Sequence, residues 1–564
     1  MKILGWISWS AAALLPALTC LPATATEDSG KATVYVNGHV YTDKGWATAF
    51  AEAGGLIVAA GSDGEVRAKG GSRPQVVDLQ GKTVFPGLVD LHLHPGFGGK
   101  FLKPCNVAAN ATVETIAATV AQCVKKVQPG DWIFGEGWSN DNPEVKKFDR
   151  SILDKVAPNN PVVLADISGH DAWVNTPALR AAGFTKTSPE VPGGKIERDA
   201  QGEPTGVLRE MPAAIVRYTL PPSTDDEATR NLKAALDVLF SKGVTSIQDA
   251  SIRKHDLKAY LALADSGQLR HRVRGCIAQN LQAPDFDEIF ANREAHRRPN
   301  FVLDCVKIFM DYTPNESHSA AMLEPYEQLP GSTEAPTTGS LLVKPDTLSA
   351  NVVEWDKAGL MVMFHCGGDR SVRVALDAVE AARKANGAHG PRHQISHNTF
   401  HSPDDLKRAA KLGVALEFSP VFWYPTPLSE GIAKAVGPVR SAHIWPAKSA
   451  IDSGNFVIAA SDWPGASDPN PWLAIETLVT RKAPGNQGTA LGEAEAITLK
   501  QAVDLYTKIA AKMTLDPRDT GFISVGARAD FIVIDRDPFA TPIGEVHKIK
   551  VLQTVVDGKT VYKN

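Results

Sequence analysis

The stretch Val84-Phe-Pro-Gly-Leu-Val-Asp-Leu-His-Leu-His94 decides how the rest of the chain is interpreted. It is an apolar, strand-like run that ends in two histidines separated by one residue. Because side chains alternate between the two faces of a strand, His92 and His94 point the same way. Two imidazoles on one face at the carboxyl end of a strand supply half of a metal site. Two exposed histidines leaving a strand would give the same local pattern.

Four further strand-like runs carry or end in a residue of a type that binds metal ions. Each alone has an ordinary explanation, since a strand lysine usually reaches the surface and an aspartate after a strand usually forms a cap or turn. Together they place nitrogen and oxygen donors at the same end of successive strands, and this favours one metal centre. The residues are Lys307 within 302–310, His365 ending 359–365, His397 ending 392–397 and Asp462 ending 456–462.

Strands and helices alternate through the middle of the chain, which predicts a parallel α/β sheet. Eight strands with polar residues at their carboxyl ends predict a TIM-like (β/α)8 barrel. The strand candidates end near His92, Gln248, Ala278, Met310, His365, His397, Ser419 and Asp462. Residues 100–235 are too long for one connection, so we expect an insertion that covers the catalytic face. It carries Trp138, His170, Trp173 and Asn175.

Both ends of the chain show short strands separated by turns, and neither end can bury a core alone. We therefore predict one small β-sandwich domain formed from both termini. The predicted organisation is a signal peptide at 1–25, the amino-terminal segment of the β-sandwich at 27–85, the barrel with its insertion at 86–514 and the carboxyl-terminal segment of the β-sandwich at 515–564.

The first 25 residues have the pattern of a signal peptide. Lys2 precedes an apolar stretch, and Ala23-Thr-Ala25 offers small residues for cleavage. Ser8, Ser10 and Pro16 interrupt the apolar stretch, so we expect no stable membrane anchor. The mature chain is predicted to be exported, and therefore periplasmic or secreted.

Export affects the interpretation of the cysteines, because disulfides persist in oxidising compartments. Cys105 and Cys123 flank the start of a helix-like segment and are predicted to pair. Cys305 and Cys366 are expected to be small buried fillers near the site.

Composition limits the partners. The net charge is -4, with 43% hydrophobic and 22% charged residues and no polybasic run. These values are typical of a globular protein that does not bind nucleic acid. A small-molecule substrate is expected, and the sequence leaves a homo-oligomer open.

The order His-x-His, Lys, His, His, Asp resembles the amidohydrolase superfamily, and the chain resembles amidohydrolase family 3 more closely. That family includes N-substituted formamide deformylases. The matching motifs are the opening stretch, Trp132-Ile-Phe-Gly-Glu-Gly-Trp138, Gly169-His-Asp-Ala-Trp-Val-Asn175, Gly202-Glu-Pro-Thr-Gly206, Gly243-Val-Thr-Ser246 and Ser461-Asp462. The chain departs from the family after Lys307. It reads Asp311-Tyr312 and Ser317-His-Ser-Ala320 where many relatives read Asp-Gly and Ser-Arg-Thr-Ala, so the substrate stays open.

In a barrel, His92, His94 and Asp462 would approach one divalent ion, while His365 and His397 would approach a second. Zinc is the expected metal. The resemblance implies that Lys307, between them, reacts with carbon dioxide to form a carbamate that bridges the two ions. Asp462 would then accept a proton from a metal-activated water and pass it to the leaving nitrogen. His170 is expected to position the substrate carbonyl, and Trp138, Trp173, Asn175 and His318 to contact the substrate.

The reaction expected from this site is hydrolysis of a non-peptide C–N bond in an amide, N-formyl compound or lactam. Two alternatives remain. One is a mononuclear deaminase of a nucleobase-like ring, which would not need Lys307. The other is a non-catalytic, exported regulatory or binding protein on the same fold.

Overall fold

A computed structural model describes residues 32–564 except 72, 103–104, 141, 167–170, 192–193, 223, 281–282, 316–317, 329–334, 467, 517 and 519–520. The predicted signal peptide and His170 therefore lie outside the described residues. Among the helices of the described part, none is long and apolar enough to span a bilayer.

The described part of the chain begins with seven short strands and one helix. They are β1 (Thr33–Val36), β2 (His39–Thr42), β3 (Gly45–Ala47), β4 (Ala49–Ala53), β5 (Leu56–Gly61), α1 (Asp63–Lys69), β6 (Gln75–Asp78) and β7 (Thr83–Pro86). Four of these strands form one sheet in the order β5-β4-β1-β6. Ser62 caps α1 with its side chain and Glu65 returns a hydrogen bond, a capping box that fixes the start of the helix.

After β8 (Leu88–Leu93), the first barrel strand, the chain leaves the barrel for the insertion. Its elements are α2 (Pro95–Gly98), α3 (Val113–Val124), β9 (Ile133–Trp138), α4 (Arg150–Val156), β10 (Val162–Asp166), β11 (Asp171–Val174), α5 (Thr176–Ala181), β12 (Gly194–Arg198), β13 (Pro204–Glu210) and α6 (Met211–Ala214). The five strands form a separate sheet in the order β12-β13-β11-β10-β9. A disulfide joins Cys105 to Cys123 on α3, which confirms the predicted pair.

Seven further parallel strands complete the barrel. They are β14 (Val244–Ile252), β15 (Arg272–Ala278), β16 (Phe301–Phe309), β17 (Met361–Cys366), β18 (Gln394–His397), β19 (Ala415–Phe418) and β20 (Phe456–Ala459). The helices are α7 (Asp225–Ser241), α8 (Lys254–Asp265), α9 (Phe286–Asn292), α10 (Pro345–Lys357), α11 (Asp369–Asn386), α12 (Pro403–Leu412), α13 (Pro427–Ser441), α14 (Ala447–Asp452), α15 (Pro471–Thr480) and α16 (Leu499–Tyr506). The sheet order β20-β19-β18-β17-β16-β15-β14-β8 follows the chain and confirms the predicted barrel.

Two backbone hydrogen bonds join the two ends of this sheet. The amide of Asp462 donates to the carbonyl of His92 at 2.8 Å, and the amide of His94 donates to the carbonyl of Trp463 at 2.8 Å. The carboxyl end of β20 is thereby joined to the carboxyl end of β8. The closure brings together the first and last of the predicted metal ligands.

The last strands, β21 (Phe531–Ile534), β22 (Val551–Val556) and β23 (Lys559–Lys563), return to the amino-terminal strands. They form a six-stranded sheet in the order β23-β22-β21-β7-β2-β3, in which β21 pairs with β7. Tyr35 stacks on Phe50 with ring centroids 4.5 Å apart, and Phe531 packs edge-on against both rings. The small β domain is thus built from both termini, as predicted.

A second disulfide corrects one sequence-based expectation. Cys305 on β16 is bonded to Cys276 on β15, and is not an unpaired filler. The two residues are Cα partners across the parallel ladder, a register that the sequence did not reveal. Cys366 is a buried free cysteine, as expected.

Candidate metal centre

Three side chains at the barrel closure have the spacing of metal ligands. Nε2 of His92 lies 3.3 Å and Nε2 of His94 lies 3.4 Å from Oδ1 of Asp462. A tetrahedral zinc ion with ligand bonds of about 2.05 Å places neighbouring ligand atoms about 3.3–3.4 Å apart. Both nitrogen-to-oxygen distances therefore match those between ligands of such an ion, and the three atoms all lie within 4.8 Å of one another.

The backbone around Asp462 explains how its carboxylate reaches the two histidines. Asp462 has a φ of 52°, so the chain turns sharply as it leaves β20. Aspartate tolerates this left-handed region better than most other side chains do. Just before the turn, the amide of Ser461 donates to Asp90 Oδ1 on β8 at 3.2 Å. The seam between the first and last strands thus fixes where the carboxylate points.

Lys307 lies in the barrel interior beside this triad. It is fully buried, and its Nζ is 3.1 Å from Nε2 of His92. Burial lowers the pKa of the amine to about 8, although the negative charges of Asp462 and Glu417 act in the opposite direction. Lys307 therefore holds its proton less firmly than a surface lysine does.

His365 and His397 lie next to each other, beside the triad of His92, His94 and Asp462. Their ring centroids are 4.4 Å apart, and the ring of His397 is 4.8 Å from that of His92. Nδ1 of His397 lies 4.0 Å from Oδ2 of Asp462. Burial, followed by the neighbouring positive charges, holds the pKa values of His92 and His397 well below the usual range. Both rings are thus kept uncharged, which is the form of imidazole that binds metal ions.

The structure also reveals a carboxylate that the sequence analysis missed. Oε2 of Glu417, on β19, lies 2.7 Å from Nδ1 of His92, and the hydroxyl of Ser419 donates to Oε1 at 3.0 Å. An ionised Glu417 accepts the Nδ1 proton and leaves Nε2 of His92 directed at the candidate ion. Burial, followed by the charge of Asp462, raises the pKa of Glu417 to about 7. The sequence feature that could have identified Glu417 is the presence of a glutamate inside the apolar run of β19.

Asp311 is a second carboxylate that sequence reasoning did not assign. It accepts backbone hydrogen bonds from Ala321 at 2.9 Å, Gly367 at 2.8 Å and Gly368 at 2.9 Å. Its Oδ1 lies 3.6 Å from Nδ1 of His365, too far for a hydrogen bond. Asp311 therefore ties the loop after β16 to the turn after β17, beside a candidate ligand.

Among the described residues, three of the other predicted site residues are buried within the insertion. Trp138 and Trp173 are fully buried in the core of the insertion, and both pack against Phe148. Asn175 caps α5 and is also buried, with its amide donating to the carbonyls of Ala157 and Asn160. These three residues hold the insertion together, whereas the sequence analysis expected them at the substrate. His318 lies in the loop after β16, stacked on Tyr326 with ring centroids 4.5 Å apart.

Comparison with known proteins finds relatives that match most of this chain. A family model described as the amidohydrolase family matches residues 75–562. Putative amidohydrolase YtcJ of Bacillus subtilis is 29% identical over an alignment of 524 residues that covers 90% of this chain and 94% of the relative. N-substituted formamide deformylase of Arthrobacter pascens is 28% identical over 92% of this chain and 95% of its own. A crystal structure of an uncharacterized metal-dependent hydrolase from Pyrococcus horikoshii aligns with a TM-score of 0.74, 24% identity and coverage of 91% and 99%, a likeness that concerns the fold alone.

Proposed function

Because the chain belongs to the amidohydrolase family, we propose that it is an exported, metal-dependent hydrolase of a non-peptide C–N bond in a small molecule. The bond belongs to an amide, an N-formyl compound or a lactam. The observation that carries the proposal is the convergence of His92, His94 and Asp462 at the spacing of zinc ligands, with a buried lysine and two further histidines beside them.

We assign His92, His94 and Asp462 to one ion and His365 and His397 to a second. Lys307 lies beside His92 and is assigned to both ions as a carbamate. In forming it, the neutral amine bonds to the carbon of carbon dioxide and loses one proton, which gives an anion with two oxygens. Bound zinc ions supply Lewis acidity and bring the pKa of a water molecule toward ~7.

The protein groups then handle the proton and the orientation of the site. Burial alone would raise the pKa of Asp462, but the neighbouring side chains of His92 and His94 lower it to about 2. Its carboxylate is therefore ionised and able to accept the proton of the attacking water. It returns that proton to the leaving nitrogen as the C–N bond breaks. Glu417 keeps the His92 ring in place, and we assign to His170 the positioning of the substrate carbonyl.

A combined metal and substrate test addresses the proposal. Chains purified without chelator are analysed for metal and then incubated with N-acyl, N-formyl and lactam libraries, with release of amine or ring opening as the readout. We expect about two divalent ions per chain and hydrolysis of members of these libraries. Prior treatment with a chelator should abolish turnover, and added zinc should restore it.

The two alternatives give different results in the same experiment. One ion per chain, with deamination of nucleobase-like rings and retained activity in Lys307→Ala, would identify the mononuclear deaminase. Metal-free chains that turn over nothing in any library, yet bind a small molecule, would identify a non-catalytic binding protein.

A further inference from the structure

The Cys276–Cys305 disulfide lies in the barrel directly beneath Lys307. On β15 and β16, Cys276 is the Cα partner of Cys305, and Ala278 is the partner of Lys307. Because each cysteine precedes its neighbour by two residues, Cys305 and Lys307 share one face of β16. Both cysteines are fully buried in the barrel interior. The covalent link is thus one layer below the candidate metal ligands.

The ladder between these strands is irregular at the point where the disulfide occurs. The register shifts between Arg274 and Cys276, and from Cys276 onward the pairing runs without interruption to Lys307. Beyond the disulfide, the amide of Gln279 donates to the carbonyl of Lys307 at 3.0 Å. At this shift β16 carries one residue more than β15. A slip by that one residue would turn Lys307 to the other face of the sheet. The disulfide joins β15 to β16 at the first residue pair after this shift, and so fixes the alignment of the pairs that follow, up to Lys307.

The side chains packed around the disulfide fix the alignment of β15 and β16 less firmly than the covalent bond does. The neighbours in the barrel interior include Met361 and Met363, and the sulfur of Met363 lies 4.0 Å from that of Cys276. Met363 is also the Cα partner of Lys307 on β17. Methionine is flexible and fills space in several conformations, so it specifies the position of a neighbour only loosely. A covalent bond between the strands removes that freedom.

We propose that the Cys276–Cys305 disulfide positions Lys307 for the metal centre, by fixing the register and depth of β16 beneath it. The two cysteines are positioning residues and touch no reacting atom. The inference rests on the proposed function through the role of Lys307 as a ligand. Loss of the disulfide lets β16 settle differently, which moves the amine relative to Nε2 of His92.

The chain contains a matched control for the test. Cys276 and Cys305 are separated by 29 residues, and Cys105 and Cys123 by 18, so the two disulfides constrain the unfolded chain to a similar degree. We compare C276A/C305A with C105A/C123A. The readouts are thermal unfolding, cobalt(II) bound per chain, the visible absorption spectrum of bound cobalt(II), and kcat and KM.

Both double variants should unfold at lower temperature than the unsubstituted chain. Only C276A/C305A should change the cobalt(II) spectrum and lower kcat, by roughly tenfold or more, as for other losses of support to metal ligands. KM should change little, because the residues that contact substrate are untouched. The inference is overturned if C276A/C305A and C105A/C123A give the same cobalt(II) spectrum and the same kcat per folded chain.

A second preparation covers the case in which C276A/C305A does not fold. The unsubstituted chain is refolded once with reductant and once with oxidised glutathione, which takes up two electrons and two protons from each cysteine pair. Only the oxidised chain should give the native cobalt(II) spectrum, and an identical spectrum from both preparations would overturn the inference. Failure of the proposed function looks different, because the oxidised, unsubstituted chain would then bind no metal at all.

Discussion

Replacing Glu417 with glutamine tests whether the carboxylate behind His92 supports metal binding. Oε2 of Glu417 lies 2.7 Å from Nδ1 of His92, and Oε1 accepts from the Ser419 hydroxyl at 3.0 Å. Glutamine has nearly the same shape, so its carbonyl oxygen can still face His92 while its NH2 group donates to the oxygen of Ser419. The substitution therefore removes the negative charge and little else.

The size of the effect follows from what that charge does. An ionised carboxylate makes the imidazole a stronger ligand, and losing such a partner typically costs about 10–100-fold in metal affinity. This range corresponds to about 1.4–2.7 kcal/mol. We expect E417Q to weaken zinc binding by this amount and to recover much of its turnover when zinc is supplied in excess.

A second histidine–glutamate pair gives the control. Glu476 on α15 lies 2.7 Å from Nδ1 of His547, and neither residue belongs to the candidate metal centre. Zinc affinity is measured by competition with a chromophoric chelator for the unsubstituted chain, E417Q and E476Q. E476Q should bind zinc as the unsubstituted chain does. Equal affinities in all three proteins would refute the role assigned to Glu417.

Three further predictions concern the lysine, acid stability and export. Lys307→Ala should lose one of two bound ions and nearly all turnover while the chain stays folded, so full activity in that variant, measured beside its metal content, would contradict the bridging role. Burial alone would raise the pKa of Asp356, but hydrogen bonds from His393 and Arg383 hold that pKa below its ordinary value. The ionised Asp356 therefore stabilises the fold at pH values above the ordinary carboxyl pKa of ~3.9, and this contribution is lost as the pH falls below it. Urea unfolding should show that D356N is less stable than the unsubstituted chain at neutral pH, with the gap narrowing in acid; a gap independent of pH would contradict this. Mass spectrometry of the secreted protein should find cleavage after Ala25, and an intact amino terminus would rule it out.

Features that depend on local spacing could be predicted from the sequence. The alternation of side chains placed His92 and His94 on one face, and the polar ends of apolar runs identified all eight barrel strands. The carboxyl ends of parallel strands meet at one end of a barrel. Six candidate ligands from distant regions of the chain were therefore expected together, and the structure brings them together.

Features that depend on register between distant strands could not be predicted. Glu417 contacts His92, and Cys276 bonds to Cys305, only because of how neighbouring or facing strands align. The sequence around a glutamate or a cysteine in an apolar run does not indicate which distant residue it contacts. Trp173 and Asn175 show another limit, because a family motif marks residues that matter without saying whether they hold the insertion together or contact a ligand.

The hydrogen bonds that close the barrel between β8 and β20 have a consequence for the order of folding and metal binding. Asp90 and Ser461, which hydrogen bond across this seam, are 371 positions apart. Before β20 docks against β8, a folding chain has only the His92–His94 pair of this triad in place, and two imidazoles bind a divalent ion weakly. The third donor of this triad arrives when β20 docks against β8. Binding of an ion by all three side chains would therefore require a closed barrel, and a bound ion would in turn oppose separation of the first and last strands.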